Sequence, residues 1–152
     1  MSSEPEDLSQ LRYAAGVDQQ AGALAWSQTD GVRRFWIVTS RRTQRWVLPK
    51  GGIDEGMTAP EAAAQEAFEE AGVIGNPALN EIGHYHVAKI RPPLIWTVQV
   101  ALYPMLVTEV LEEWKELKQR ERRLVTIDEA AELIIEQDII ALIRRELPTL
   151  PT

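Results

Sequence analysis

The sequence predicts one domain of the α/β class, in its α+β form, with helices packed on a mixed β-sheet. β-prone runs precede a helical segment, further β-prone runs follow it, and a second helical segment comes near the end. This order is typical of a mixed sheet covered by helices. A chain of 152 residues, 45% of them hydrophobic, is large enough for one core. We expect residues 1–10 to be a mobile tail and residues 11–150 to form the domain.

The composition excludes several kinds of protein. Cysteine is absent, which excludes a disulfide scaffold, a zinc–thiolate site, an iron–sulfur cluster and a cysteine nucleophile. No stretch approaches the roughly 18 to 20 apolar residues of a membrane span. The acidic segment 1–10 lacks the apolar core of a signal peptide. We therefore expect a cytoplasmic protein with no membrane partner.

The charge pattern indicates a small anionic ligand. The net charge of −7 makes nucleic-acid binding unlikely, because that binding depends on neutralising phosphates. Residues 31–53 nevertheless carry six basic side chains and no acid, and acids concentrate in residues 54–70. A basic segment followed by an acidic one favours an anion held together with a divalent metal, although an ordinary solvated surface would show the same pattern.

The first third of the chain predicts three short strands. Residues 22–27 and 33–40 are β-prone and flank a turn at Asp30-Gly31, which predicts a hairpin. Residues 45–49 form another β-prone run that ends at a proline. We expect a Gly-Gly loop at 51–52.

A helix is predicted over residues 58–71. Thr58 and Glu61 have the spacing of a capping box at its start, and Pro60 falls in the first turn, where its missing N–H is tolerated. The body is rich in strong helix formers. Gly72 stands where a left-handed C-terminal residue is expected.

The second half of the chain predicts further strands and a final helical segment. Residues 84–90 and 94–110 are β-prone, and Pro104 within the second run suggests an edge position or a bulge. The charged run at 111–123 is expected to be a loop. Residues 127–147 follow a second capping box and predict one helix or two.

Three glutamates of the predicted helix, Glu66, Glu69 and Glu70, share one face, because α-helical residues are about 100° apart. The opposite face carries an apolar stripe that we expect to pack on the core: Ala64, Ala67, Phe68 and Ala71. Like charges at these spacings repel, and residues 51–88 contain no lysine or arginine. Either solvent or a divalent cation must offset the repulsion. Mg²⁺ prefers carboxylate oxygens and is commonly shared with substrate phosphates.

Residues 51–73 resemble the Nudix box, in which U is a bulky apolar residue: G-x5-E-x7-R-E-U-x-E-E-x-G-U. The positions that match are Gly51, Glu66, Glu69, Glu70, Gly72 and Val73. The segments RWVLPKGG, VTEVLEEW and RERRLVTIDEAAELI are similar to the branch that hydrolyses diphosphoinositol polyphosphates and diadenosine polyphosphates. The likeness covers roughly residues 20 to 135. It implies a Nudix-type α/β/α sandwich with a mixed β-sheet.

Two positions depart from the box. Met57 stands where the box has its first glutamate, and Gln65 stands where it has arginine. The loss of one carboxylate and one guanidinium together is compatible with the loss of an internal pair as a unit. It is also compatible with a weakened or altered enzyme.

The resemblance implies a hydrolase that uses Mg²⁺, or Mn²⁺, and cleaves a pyrophosphate bond by attack of water on phosphorus. It places metal ligation on Glu66 and Glu70 and makes Glu69 the general base. We expect the following residues to bind the phosphorylated small-molecule substrate: Lys50, Gly51, Gly52, Lys89, Arg91 and Arg122.

The substrate class remains open at the level of sequence. The early segment GVDQQAGAL lacks basic residues, and an inositol ring crowded with phosphates would need them, so we favour a diadenosine polyphosphate or a similar nucleotide. The alternatives are a diphosphoinositol polyphosphate phosphohydrolase and a non-catalytic Nudix-fold module that binds nucleotides. The β-rich run at 94–110 could also serve the interface of a homodimer.

Overall fold

The structure, a computed structural model, describes residues 10–152. The tail predicted for residues 1–10 lies outside the described residues, apart from Gln10. In chain order the elements are β1 (Arg12–Thr29), β2 (Val32–Thr39), β3 (Trp46–Val47), β4 (Lys50–Gly52), α1 (Ala59–Glu66), a π-helical turn (Ala67–Ala71), β5 (Val73–Pro77), β6 (Gly83–Arg91), β7 (Leu94–Val110), β8 (Arg122–Val125), α2 (Ile127–Leu133), α3 (Gln137–Glu146) and a 3₁₀ turn (Leu147–Thr149).

The strands of the described residues form one mixed, eight-stranded sheet with the order β3-β2-β1-β7-β5. β4 pairs with β1, β6 with β7 and β8 with β2. The long strands β1 and β7 are parallel, and every other pair is antiparallel. The α+β class with a mixed sheet, predicted from the order of the runs, is confirmed.

Helices cover both faces of the sheet. Successive side chains of β1 alternate between the faces, so that Leu24 and Trp26 belong to one core cluster and Ala23 and Ala25 to another. The first cluster contains residues of α2 and α3. The second contains the alanines of α1 and of the π-helical turn. The arrangement is the predicted α/β/α sandwich.

The buried side of the first helix differs from the predicted stripe. Of the predicted stripe, Ala67 and Ala71 are buried and Ala64 is partly buried, but Phe68 is 40% exposed. The other buried positions are Ala62, Ala63 and Glu70. The helix rests on alanines of β1, where small side chains allow close approach and leave no room for a phenyl ring. The turn after α1 is also π-helical, so its residues advance by less than the 100° that an α-helix gives.

Pro104 lies in the interior of the sheet, so its predicted place at an edge or a bulge is wrong. On one side β7 pairs with β1, where Leu24 is opposite Pro104. On the other side its partner is β6 up to Leu102 and β5 from Met105 onward. Pro104 therefore falls between two partner strands, where a missing N–H leaves no ladder bond unmade. Because β7 has neighbours on both sides over most of its length, it offers little free edge for pairing with a second copy. Dimerisation stays a prediction.

The segment 127–147 forms two helices. Thr126 and Glu129 make the predicted capping box of α2. Ile134 then adopts an extended backbone and is only 2% exposed. Burial of this side chain in the core interrupts the helix before α3. No helix within residues 10–152 is long and apolar enough to cross a bilayer.

Candidate active site

The helical segment that carries the glutamates is fixed at both ends. At its start the Thr58 hydroxyl accepts from the Glu61 N–H at 3.2 Å, and the Glu61 carboxylate accepts from the Thr58 N–H at 2.8 Å. The predicted capping box is therefore confirmed. At its end Gly72 has a left-handed φ of 67°, which favours glycine. A Cβ there would lie 2.8 Å from Arg122 Nη1 and from the Trp114 ring.

Glu66 and Glu70 meet at the surface of strand β4. Their carboxyl groups are hydrogen-bonded to each other. The Lys50 N–H donates to Glu70 Oε1 at 3.3 Å. A Cβ at Gly51 would lie 2.4 Å from the Glu66 carboxyl carbon, so only glycine lets the strand pass this close to the carboxylate. Gly51 and Gly52 belong to β4 and pair with β1, which corrects the predicted loop.

Glu69 makes contacts of its own, although its charge also acts on Glu66. Its carboxylate accepts a short hydrogen bond from the Gln65 amide and lies 3.4 Å from Lys115 Nζ. The expected convergence of three carboxylates assumed α-helical spacing. In the wider π-helical turn each residue advances less, so Glu69 lies at a different angle from the one that α-helical spacing gives.

The Glu66 and Glu70 pair has altered protonation. The pKa of Glu70 is raised to about 8, with burial as the largest cause; the positive charge of Arg120 opposes this rise, and the hydrogen bond and negative charge of Glu66 add to it. Burial also raises the pKa of Glu66. Without a cation the two carboxyl groups therefore share a proton at neutral pH.

The pair fits a hard divalent cation. Two carboxylates in contact, Glu70 buried and Glu66 half-buried, repel each other once both are ionised, and a cation bound by both would relieve the repulsion. Carboxylate oxygens are also the protein ligands that Mg²⁺ prefers. Within residues 10–152 no third acidic or histidine side chain completes a preformed cation site. Glu66 and Glu70 would therefore hold a cation together with water and phosphate oxygens.

A loop that is distant in sequence closes over the end of the glutamate helix. We call residues 111–121 the strap. Backbone N–H groups of Leu111 and Glu116 donate to the carbonyls of Gly72 and Glu69 at 2.8 and 3.1 Å. The Trp114 indole N–H donates to the carbonyl of Glu70 at 3.0 Å. These are the carbonyls that a helix end leaves without partners, so the strap holds the turn in place.

The strap also supplies two buried charged side chains that the sequence analysis missed. Arg120 Nη2 lies 3.3 Å from Glu70 Oε2, and Arg120 Nε donates to Glu116 Oε1 at 2.5 Å. The side chains of Arg120 and Glu116 are 9% and 11% exposed. The run at 111–123 reads as a solvated loop because it is rich in charge. The only local sign of this ion pair in the sequence is the i, i+4 spacing of Glu116 and Arg120.

Lys50 lies beside the glutamate pair, and Lys89, the other lysine predicted to bind phosphate, is close enough to act on its charge. Burial lowers the pKa of Lys50, and the nearby charge of Lys89 lowers it further. Lys50 Nζ donates to Gln20 Oε1 at 3.2 Å. A bound anion would stabilise the charged form of this ammonium group.

For the remaining predicted binding residues, Arg91, Arg122 and Gly52, the structure shows no contact with the carboxylate pair. Arg91 ends β6 and is exposed. Arg122 donates to the carbonyl of Ala71 at 2.9 Å, and its guanidinium lies 4.0 Å from the centre of the Trp114 ring. Its contacts are thus those of a helix-end cap, and the structure does not bring it to the carboxylate pair. A Cβ at Gly52 would meet open space, so sterics do not require glycine there.

The two residues that depart from the Nudix box, Met57 and Gln65, line one cavity. An open cavity of about 640 Å³ lies between α1 and β5, and Met57, Gln65 and Phe68 are among its lining residues. Where the box has a carboxylate and a guanidinium, this chain has a thioether and an amide facing a mostly apolar space. Because Met57 and Gln65 line the same cavity, the structure supports the loss of the glutamate and the arginine of the box as one pair.

Comparisons with known proteins agree with the resemblance of residues 51–73 to the Nudix box. A family model for the NUDIX domain matches residues 18–145. Nudix hydrolase 12, mitochondrial, of Arabidopsis thaliana is 37% identical over 101 residues, 64% of this chain and 50% of that protein. Nudix hydrolase 16, mitochondrial, of the same plant is 33% identical over 139 residues, 81% of this chain and 76% of that protein. Diphosphoinositol polyphosphate phosphohydrolase 3-beta of Bos taurus is 26% identical over 121 residues, 78% of this chain and 70% of that protein.

A crystal structure of a C. elegans Ap4A hydrolase has a TM-score of 0.66 and 19% identity, covering 90% of this chain and 100% of that one. At this identity the likeness shows the fold. The chain spans half the length of the first of the plant relatives. The domain match covers most of the chain, and the second plant relative is aligned over most of both proteins. The chain therefore belongs to the Nudix hydrolase family, as the box at residues 51–73 predicted.

Proposed function

We propose that this protein is an Mg²⁺-dependent hydrolase, also served by Mn²⁺, that cleaves a pyrophosphate bond in a nucleoside diphosphate linked to another moiety. The observation that carries the proposal is the contact of the Glu66 and Glu70 carboxyl groups beside Lys50. Hydrolysis of a pyrophosphate needs neutralised phosphate charge, a polarised leaving oxygen and an activated water. A pair of carboxylates that can hold a cation, with the charge of the Lys50 ammonium nearby, can contribute to all three.

The residues have separate roles in this proposal. Glu66 and Glu70 would hold the cation, which supplies Lewis-acid charge to the phosphate oxygens. Lys50 Nζ and Lys89 bind the same phosphates electrostatically. Glu69 accepts the proton from the attacking water. One P–O bond forms to that water, the bridging P–O bond breaks, and the leaving phosphate keeps its electron pair.

We propose a nucleotide as the substrate, with diadenosine polyphosphates first. The support is the first long strand, in which residues 13–29 carry no basic side chain. A ring bearing many phosphates would need more positive charge at the site than a linear polyphosphate does. The relative named a diphosphoinositol polyphosphate phosphohydrolase keeps that substrate class as the second candidate.

The test is product release from a panel of diphosphate-linked compounds, each with Mg²⁺ and with EDTA. The panel holds diadenosine polyphosphates, nucleotide sugars, ADP-ribose and a diphosphoinositol polyphosphate. We compare the wild type with Glu69→Gln and with the control Glu81→Gln, which changes an exposed glutamate on another loop. Metal-dependent turnover that Glu69→Gln loses and Glu81→Gln keeps is the expected result. A panel without turnover, together with thermal stabilisation by the same compounds, would favour the non-catalytic module.

We further propose a cytoplasmic location. Relatives whose names say mitochondrial define the competing location. Fractionation of cells that express the natural protein distinguishes the two.

A further inference from the structure

The guanidinium of Arg120 joins three separate elements. Its Nη1 donates to the Thr39 carbonyl at the end of β2 at 3.0 Å. Its Nε donates to Glu116 Oε1 at 2.5 Å within the strap, and its Nη2 lies 3.3 Å from Glu70 Oε2 in the π-helical turn. The rigid planar fork of arginine can serve three acceptors at fixed angles, which a lysine ammonium on a flexible stem cannot do.

The strap is fixed to the sheet at this point. The Thr39 N–H donates to the Glu121 carbonyl at 3.1 Å. In return, the Glu121 N–H donates to the Thr39 hydroxyl at 2.9 Å. The backbone beside Arg120 is therefore held on β2, and the guanidinium is held by the Thr39 carbonyl and by Glu116. Its remaining donor group faces Glu70 from a fixed position.

We infer that Arg120 is a positioning residue that fixes the orientation of the Glu70 carboxylate toward Glu66. The inference rests on the proposed function, in which these two carboxylates hold the cation. Arg120 acts through Glu70, and no contact of its own with substrate is required. It takes part in orienting the metal site although it lies outside the Nudix box, 50 residues after Glu70 in the chain.

The variant that tests this inference must keep the positive charge. Removal of a cation beside two carboxylates would by itself strengthen their attraction for a metal ion, and this gain would mask the loss of orientation. Arg120→Lys keeps the charge and removes the fork. The matched control is Arg144→Lys, since Arg144 makes an exposed ion pair with Asp128 at 2.9 Å, far from the glutamate helix in the sequence.

The primary measurement is Mn²⁺ binding to the substrate-free protein by titration calorimetry. We expect Arg120→Lys to raise the Mn²⁺ dissociation constant about tenfold and Arg144→Lys to leave it unchanged. At saturating metal we expect a lower kcat for Arg120→Lys, with KM changed less than threefold. A second variant, Arg120→Met with Glu116→Leu, removes the two opposite charges together and guards against misfolding, because an apolar replacement of a buried pair is often tolerated. It should show the same weakened Mn²⁺ binding.

Three results would overturn the inference while leaving the proposed function intact. Unchanged Mn²⁺ affinity with a lower thermal midpoint would mean that Arg120 only stabilises the fold. A raised KM with unchanged Mn²⁺ affinity would mean that it binds substrate. Tighter Mn²⁺ binding by Arg120→Lys would mean that it competes with the metal. A wild-type protein that binds no Mn²⁺ would instead overturn the proposed function, and the inference with it.

Discussion

At the scale of single residues, the contact between Glu66 and Glu70 could be predicted from the sequence, but the contacts that surround the pair could not. Their i, i+4 spacing places them on the same side of any helix, so their proximity could be predicted. The ion pair of Glu69 with Lys115 could not be predicted, because Lys115 lies in the strap, far from Glu69 in the sequence. The close approach of Gly51 to the Glu66 carboxyl group likewise depends on the packing of β4 against the helix, which no local sequence pattern indicates.

Replacement of Gly51 by alanine should damage the site and spare the fold. The added Cβ would lie 2.4 Å from the Glu66 carboxyl carbon, and the end of a flexible side chain is the group that can move away. We expect turnover to fall about a hundredfold or more, while the thermal midpoint changes little. The control is Gly52→Ala, where a Cβ meets open space and the loss should be much smaller. Equal losses for the two variants would contradict the steric account.

The buried glutamate pair should make the stability of the metal-free protein depend on pH. The pKa of Glu70 is raised to about 8 from a usual 4.5, so the folded state binds the proton more tightly than the unfolded state. Its contribution is complete below pH 4.5 and disappears as the pH rises through 8. We expect the free energy of unfolding in EDTA to decrease from pH 5 to pH 8, by on the order of a few kcal/mol at most.

Urea unfolding at several pH values, with EDTA and with saturating Mg²⁺, measures this dependence. Mg²⁺ should flatten the decrease, because a bound cation favours the ionised pair. Glu70→Gln in EDTA should flatten it as well, since the amide does not ionise. A wild-type profile in EDTA that stays level between pH 5 and pH 8 would refute the assignment of a raised pKa.

At the scale of elements, the strap and the glutamate helix form one unit. The helix start was predictable because its capping box is local, and the structure confirms it. The cap at the other end was not, because its donors lie 39 to 51 residues away in the strap and at Arg122. The strap reads as a solvated loop from its charge, although three of its side chains contact the turn that carries Glu69 and Glu70: Trp114, Lys115 and Arg120.

Loss of one donor from the strap should loosen the helix end. Trp114→Phe keeps an aromatic ring and removes the N–H that satisfies the carbonyl of Glu70. We expect destabilisation of about 1 to 2 kcal/mol in urea unfolding. The control is Trp96→Phe, because the buried Trp96 Nε1 has no hydrogen-bond partner among the described residues. That change should be near neutral with respect to hydrogen bonding, so equal destabilisation of both variants would count against the capping role of Trp114.

At the scale of the whole molecule, strands that are distant in the chain bring the site together. The order of runs predicted a mixed sheet, and four strands were predicted within a few residues: β2, β3, β6 and β7. The start of β1 was missed by ten residues, and β4, β5 and β8 were not predicted as strands. A sequence pattern does not indicate which distant strands pair with each other. It therefore predicted neither the parallel pairing of β1 with β7 nor the position of Pro104 between two partner strands. The two faces of that sheet carry separate cores, and the face with small side chains is the one that lets the glutamate helix approach β4.

The most direct test of the proposed activity is hydrolysis of a diadenosine polyphosphate in ¹⁸O-labelled water, followed by mass spectrometry of the products. We predict label in one phosphate-bearing product, turnover that requires Mg²⁺ and stops with EDTA, and loss of turnover in Glu70→Gln. Turnover that persists in EDTA, or that Glu70→Gln retains at the wild-type rate, would contradict the claim that the Glu66 and Glu70 pair holds the catalytic metal.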